Sequence, residues 1–211
     1  MSLFPIFLKL DRRPCLLVGA GEIALQKIPS LLSSEAKLRI IAPRVHPEIA
    51  GLAQQGRIEL HQREFAPADL ENTFLVVAAT DNPQVNATIY EEAVARNILC
   101  NSVDDPPHCD FYFGSVVNRG DMQIAISTAG ESPALAQRLR HEIDEQLPAD
   151  LGPWLNDLGA LRRDILAAYE PGEDRKLLLH QLAQRHLCDP QTCPAQKLAL
   201  EARQHVKEVL A

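Results

Sequence analysis

Six consecutive residues, Gly19-Ala20-Gly21-Glu22-Ile23-Ala24, restrict this chain more than any others. They follow Cys15-Leu16-Leu17-Val18, an unbroken apolar run of the kind a strand shows when both of its faces are covered. They open a segment in which Ile23, Ala24, Ile28, Leu31 and Leu32 recur at helical spacing. In a G-x-G-x-x-A turn between strand and helix, the first glycine permits the tight turn. The second lets backbone approach a pyrophosphate, and the alanine lets the helix pack closely on the strand. The helix N-terminus then offers N–H groups and a partial positive charge to the phosphates. A glycine pattern alone is weak, and the strand–turn–helix context is what makes this one a dinucleotide site. The competing reading is a nucleotide-free fold that keeps its glycines for packing. On the dinucleotide reading, cofactor contacts are expected from Gly19, Ala20, Gly21, Glu22 and Ile23. Pro43, after the second strand, and Ala79 and Thr80, after the fourth, complete the expected set.

The rest of the first hundred residues agrees with this. Leu38 to Ala42, Ile58 to His61, Phe74 to Ala79 and Ile98 to Val103 read as strands, with helices from Pro47 to Gln55 and from Val85 to Arg96 between them. Strands alternating with helices imply βαβ units and a parallel sheet. Ahead of them, Leu3, Phe4, Ile6, Phe7 and Leu8, broken by Pro5, fit a first strand or a packing arm. After residue 104 the pattern changes. Phe111 to Val117 and Met122 to Ser127, separated by Asn118-Arg119-Gly120-Asp121, suggest a hairpin. Ser132-Pro133 opens a helix with a serine cap. Only helices are expected beyond, near 151–168, 174–187 and 195–210. The expected class is α/β, in three parts. These are a Rossmann-type domain over 1–110, a hairpin-and-helix segment over 111–150, and a helical domain over 151–211.

Three further stretches can carry chemistry. Ala78-Ala79-Thr80-Asp81-Asn82 ends the strand expected beside the first, so it faces the glycine loop across the crevice where strand order reverses. Asn86 can hydrogen-bond within that loop, and Asp81-Asn82 can also simply cap the next helix. Asn101-Ser102-Val103-Asp104-Asp105 ends the next strand, where a carboxylate can act as a general base or remain a plain loop residue before Pro106-Pro107. Ser127-Thr128-Ala129-Gly130 with Ser132-Pro133 offers hydroxyls and a helix N-terminus to an anion, or else is only a cap. Against the usual pattern, the second strand ends Ile41-Ala42-Pro43-Arg44 without an acidic residue. Arg44 there suits a 2′-phosphate, or is a solvated loop side chain.

The formal net charge of −7 argues against a nucleic-acid partner. No apolar run approaches the roughly 20 residues that span a bilayer, and the N-terminus lacks the basic leader and cleavage site of a signal peptide. Five scattered cysteines make no disulfide framework, which points to a reducing cytoplasm. Cys188 and Cys193 resemble a metal clip, but their spacing matches no strong zinc pattern.

Taken in order, these pieces resemble the precorrin-2 dehydrogenase family, which includes the N-terminal module of siroheme synthase. The resemblance covers roughly residues 1–150. It rests on Phe4-Pro5-Ile6-Phe7-Leu8, Val18-Gly19-Ala20-Gly21 with Ala24 and Lys27, Ala42-Pro43, Ala78-Ala79-Thr80-Asp81 with Asn86, Cys100-Asn101-Ser102-Val103-Asp104, and Ser127-Thr128-Ala129-Gly130 with Ser132-Pro133. It implies a homodimer interlocked through the hairpin, NAD as hydride acceptor, and oxidation of precorrin-2 to sirohydrochlorin. Some members also insert Fe²⁺ into that product. By the same resemblance Asp104 matches the family's active-site aspartate, and Ser127 and Thr128 lie in the loop facing the tetrapyrrole. Local cations must hold that polyanionic macrocycle, with Arg12, Arg13, Arg119, Arg138 and Arg140 as candidates. The methyltransferase module of fused siroheme synthases is not expected in these 211 residues. Two other readings stay open: an NAD(P)-sensing regulatory module without turnover, and an NADP-linked dehydrogenase of another substrate.

Overall fold

A computed structural model of the protein describes residues 3–183. The chain divides into two compact units. One ends at Phe113 and takes in Ala129–Glu131, and the other begins at Gly114. The hairpin segment and the following helices, expected as separate domains, thus fall together in the second unit.

The first unit is built on five parallel strands: β1 (Pro14–Val18), β2 (Lys37–Ile41), β3 (Glu59–His61), β4 (Leu75–Ala78) and β5 (Leu99–Ser102). Their order is β3-β2-β1-β4-β5, so the sheet reverses direction of growth between β1 and β4. Helices α1 (Glu22–Ser33), α2 (Pro47–Gln54) and α3 (Pro83–Ala95) make the crossovers. Alternate residues of the central strands enter opposite layers. Leu17, Ile40 and Val77 pack with Ala24, Ile28, Leu31 and Ile49 beneath α1 and α2. Leu16, Val18, Val76, Ala78 and Cys100 pack with Ile89 and Ala93 beneath α3. Both faces of β1 and β4 are therefore dry, which is why those strands read as continuous apolar runs rather than alternating ones.

Two expectations shift. Residues 3–10 form no strand, and Phe4, Ile6 and Phe7 stand exposed while Leu10 alone is buried. Both sides of β1 are taken, by β2 and by β4, so no place beside it is open to them. The strand expected from Phe111 begins only at Ser115. Phe111 and Phe113 pack instead edge-to-face against each other, on the core of the first unit.

The second unit carries an antiparallel hairpin of β6 (Ser115–Arg119) and β7 (Met122–Ile126), then α4 (Pro133–Gln146), α5 (Leu151–Ala168) and α6 (Glu173–Leu182). Arg119 pairs with Met122, leaving the two-residue turn Gly120-Asp121 with Gly120 at φ +59°. Two-residue hairpins favour a glycine at that first position. The turn lies directly on α5, where a Cβ on Gly152 would come 3.0 Å from the Gly120 nitrogen. The expected helix over 195–210 and the Cys188/Cys193 pair lie outside the described residues.

Candidate functional site

The glycine loop leaves β1 between the tips of its two neighbours. The Gly19 N–H donates to the Ile41 carbonyl at 2.9 Å, and the Ala79 N–H donates to the Val18 carbonyl at 2.8 Å. Gly19 sits at φ +102°, and a Cβ there would lie 2.2 Å from the Ala79 oxygen. The first glycine is thus demanded by close approach of β4 as well as by turn geometry. Ala20 is buried and its carbonyl accepts from the His46 N–H at 2.9 Å, fixing the start of α2 beside the loop. Gly21 caps α1 without a side chain, and a Cβ there would meet nothing within 4 Å. That open space above uncapped first-turn N–H groups is what a pyrophosphate requires, so the residues present fit a dinucleotide. Ala24 is fully buried against the sheet. Glu22 turns its carboxylate to His46 Nε2 at 3.1 Å, away from a purely anion-repelling role.

At the tip of β4, Asn86 of α3 is buried and locks the loop. Its Oδ1 accepts from Thr80 Oγ1 at 2.6 Å and from the Thr80 N–H at 3.3 Å, while its Nδ2 donates to the Thr80 carbonyl at 3.2 Å. Asn82 caps α3 through the Gln84 and Val85 N–H groups. Asp81, expected to share that task, reaches instead to Arg44 Nη2 at 2.7 Å.

At the tip of β5 the chain turns sharply. The Asp105 N–H donates back to the Ser102 carbonyl at 3.2 Å, and Asp104 occupies the corner at φ +60°. Aspartate tolerates this left-handed region better than most residues, yet the conformation still costs on the order of 1 kcal/mol and needs surrounding support. Cys109 supplies it. Its thiol has one proton to share between the Ser102 carbonyl at 3.1 Å and the Asp105 carbonyl at 3.3 Å, so the sulfur lies against both ends of the turn. Asn101 Nδ2 braces the sulfur at 3.4 Å and the Phe111 carbonyl at 2.7 Å. His108 Nδ1 meets Asp105 Oδ2 at 2.6 Å, and its ring lies on Tyr90, with 4.8 Å between centroids. His108 is thereby held within the turn. Nothing in the sequence pattern marked Cys109, whose partners Asn101, Ser102 and Asp105 precede it by eight, seven and four residues.

Ile23, Ala79, Thr80, Asn86, Asp104 and Asp105 line one cleft of about 350 Å³. It joins the start of α1 to the tips of β4 and β5, so three sequence-separated stretches meet at the switch point as expected. Pro43 lies outside the cleft, exposed at the tip of β2, where its carbonyl accepts from Gln62 at 3.4 Å. Burial pushes the Cys15 thiol up to about 11. Burial, with Asp110 and Cys109 nearby, pushes Cys100 up to about 12. Cys109 is likewise raised, chiefly by burial. These thiols serve as packing and weak donors rather than nucleophiles. Among the described residues, no group of three or more His, Cys, Asp or Glu side chains is placed to hold a metal ion.

Ser127, Thr128, Arg119 and Arg138 belong to the second unit. Thr128 Oγ1 accepts from the Ser132 N–H at 3.1 Å, and Ser132 Oγ accepts from the Leu135 N–H at 3.3 Å, so this loop caps α4. Ser127 is exposed beside it. Arg119 departs from the role of a free cation. Its guanidinium donates to Asp144 Oδ1 at 2.6 Å, to the Asp144 carbonyl at 2.6 Å and to the Leu147 carbonyl at 3.3 Å. That geometry ties the hairpin to the end of α4, where helix carbonyls lack partners. Arg138 is exposed and pairs with Glu142 one turn on at 2.9 Å.

A doubly wound sheet with a glycine loop shaped for pyrophosphate defines a nicotinamide-dinucleotide-binding protein. A family model described as "Putative NAD(P)-binding" matches residues 6–115, just over half the chain, and the chain belongs to that family. A second model, described as sirohaem biosynthesis protein central, matches residues 119–146. Siroheme synthase of Pseudoalteromonas translucida is 39% identical over 176 residues, covering 83% of this chain and 37% of that protein. Siroheme synthase of Methylobacillus flagellatus is 35% identical over 206 residues, covering 98% of this chain and 44% of that protein. The chain thus spans less than half the length of these curated relatives. A solved structure, SirC, a precorrin-2 dehydrogenase, superposes with a TM-score of 0.75 at 22% identity over 98% of both chains, a likeness of fold. No described helix is long and apolar enough to cross a membrane.

Proposed function

We propose that this chain oxidises precorrin-2 to sirohydrochlorin in siroheme synthesis, with NAD as hydride acceptor, as a cytoplasmic homodimer. The observation that carries this reading is the single cleft lined both by Ile23 of the glycine-loop helix and by Asp104 on its clamped turn. The similarity to siroheme synthases over most of the chain, and to the sirohaem central model over the hairpin and α4, supports the substrate class. Bound NAD would supply hydride acceptance from a saturated ring carbon of the substrate. Gly19 to Ile23 would hold its pyrophosphate at the α1 N-terminus, beside the loop that the Thr80–Asn86 contact locks. Asp104 accepts the proton that leaves as the new double bond forms. The Cys109 sulfur lies against both ends of its turn. Ser127, Thr128 and Arg138 are the substrate contacts offered by the second unit, while Arg119 acts there by holding the hairpin. The exposed Phe4, Ile6 and Phe7, neighbours along the chain, are apolar surface that a second subunit would cover.

An anaerobic absorbance assay tests the reading. Protein is mixed with precorrin-2 and NAD, and Fe²⁺ is added in a second step. Sirohydrochlorin formed only with dinucleotide is the expected result. Loss of that product on adding iron, faster than without protein, adds Fe²⁺ insertion, which suits relatives that are siroheme synthases. Dinucleotide binding without turnover would replace the enzyme by an NAD(P)-sensing module.

A further inference from the structure

The ion pair between Arg44 and Asp81 stands where such a fold chooses between its two cofactors. Arg44 follows the end of β2 and Asp81 follows the end of β4, and β1 with its glycine loop lies between those strands. Their 2.7 Å contact therefore spans the tip of β1. In a doubly wound sheet, the tip of the second strand reads the ribose 2′ position. A carboxylate there accepts from a 2′-hydroxyl, and an arginine meets a 2′-phosphate. This chain offers Ala42-Pro43-Arg44 at that point, with no carboxylate of its own. An unopposed arginine would favour the phosphorylated cofactor. Here its charge is balanced by a carboxylate arriving from another strand. The Arg44 and Asp81 side chains are 84% and 80% exposed. A pair so open to water is held weakly and can exchange partners.

We propose that Asp81 is the specificity-determining residue of the cofactor site. By standing beside Arg44 it offsets part of the attraction for a 2′-phosphate, and it places at the tip of β2 the carboxylate that the second strand lacks. The proposal rests on the dinucleotide reading of the glycine loop. Dissociation constants for NAD⁺ and NADP⁺, measured by titration calorimetry on the full chain, test it without reference to turnover. In Asp81→Ala the ratio of the two constants is expected to move about two- to fivefold toward NADP⁺, more so at low salt, because the freed charge is solvent-screened. In Asp81→Ala/Arg44→Ala that gain disappears. Both side chains are surface groups, so unchanged melting curves verify that the variants fold. A ratio that stays put in Asp81→Ala, or a gain that survives loss of Arg44, overturns the proposal. A wild-type chain that binds neither dinucleotide overturns the glycine-loop reading beneath it, which is a distinct outcome.

Discussion

Replacing each glycine of the loop by alanine separates folding from binding. At Gly19 the new methyl would lie 2.2 Å from the Ala79 oxygen and 2.6 Å from its carbonyl carbon, on backbone at φ +102°. Both obstructing atoms are main chain in a strand-end loop, so relief requires β1 and β4 to part. The left-handed conformation costs about 1–2 kcal/mol and the overpacking about 1–3 kcal/mol more. A total near 3 kcal/mol lowers the melting temperature of a chain this size by about 6–12 °C. At Gly21 the backbone is at φ −92° and the methyl meets nothing within 4 Å. Alanine gains there by restricting the unfolded chain and loses as a poor helix cap, so stability should change by less than about 1 kcal/mol. The methyl nonetheless enters the space into which a pyrophosphate must come, and NAD⁺ affinity should fall at least tenfold. Thermal melts and calorimetric titration of the two variants read both effects. Wild-type affinity in Gly21→Ala would refute the close-approach argument, and a wild-type melt in Gly19→Ala would refute the packing argument.

Asp104→Asn keeps the left-handed corner but removes the base. Product formation is expected to fall by about 10²–10⁴-fold with NAD⁺ affinity unchanged, and near-normal turnover would remove Asp104 as proton acceptor. Asp69 is nearly buried. The Arg63 guanidinium bonded to it, with help from the Ala66 N–H, holds its carboxyl below the usual carboxylate range. A depressed folded-state value stabilises above the unfolded value, near pH 4, and that stability is lost as pH falls through the lower one. Asp69→Asn should therefore melt lower at pH 7, with the gap starting to close near pH 4 and gone only once pH is below the depressed folded-state value, while a constant gap across pH would refute the linkage. Iodoacetamide at pH 8 should leave Cys15, Cys100 and Cys109 unmodified in the native protein and label them in urea, as mass mapping would show, because burial raises all three thiols.

Much of this was legible because it depends on short-range pattern. Continuous apolar runs announced strands covered on both faces, and β1, β4 and β5 form within a residue or so of where they were expected. The glycine motif announced its own turn, and topology then placed the ends of β4 and β5 beside it. Residues 3–10 alternate well enough for a strand, yet alternation cannot reveal that every central ladder is already taken. Phe111 and Phe113 carry strand propensity, but burial against the first unit won over pairing with the hairpin.

The sequence by itself determined the parallel α/β sheet, the pyrophosphate loop and the presence of a carboxylate at the tip of β5. Each follows from spacing along a few neighbouring residues, whose period and backbone demands are local. Only the tertiary structure decided what that carboxylate and its neighbours do. Arg119 is bound to the end of α4, and Arg44 is balanced by Asp81 from another strand. The reason is physical: hydrogen bonds and ion pairs between distant segments depend on which chain ends the packed sheet brings together, and a charged or polar residue type has the same letter whether its partner is a ligand, a helix end or another strand.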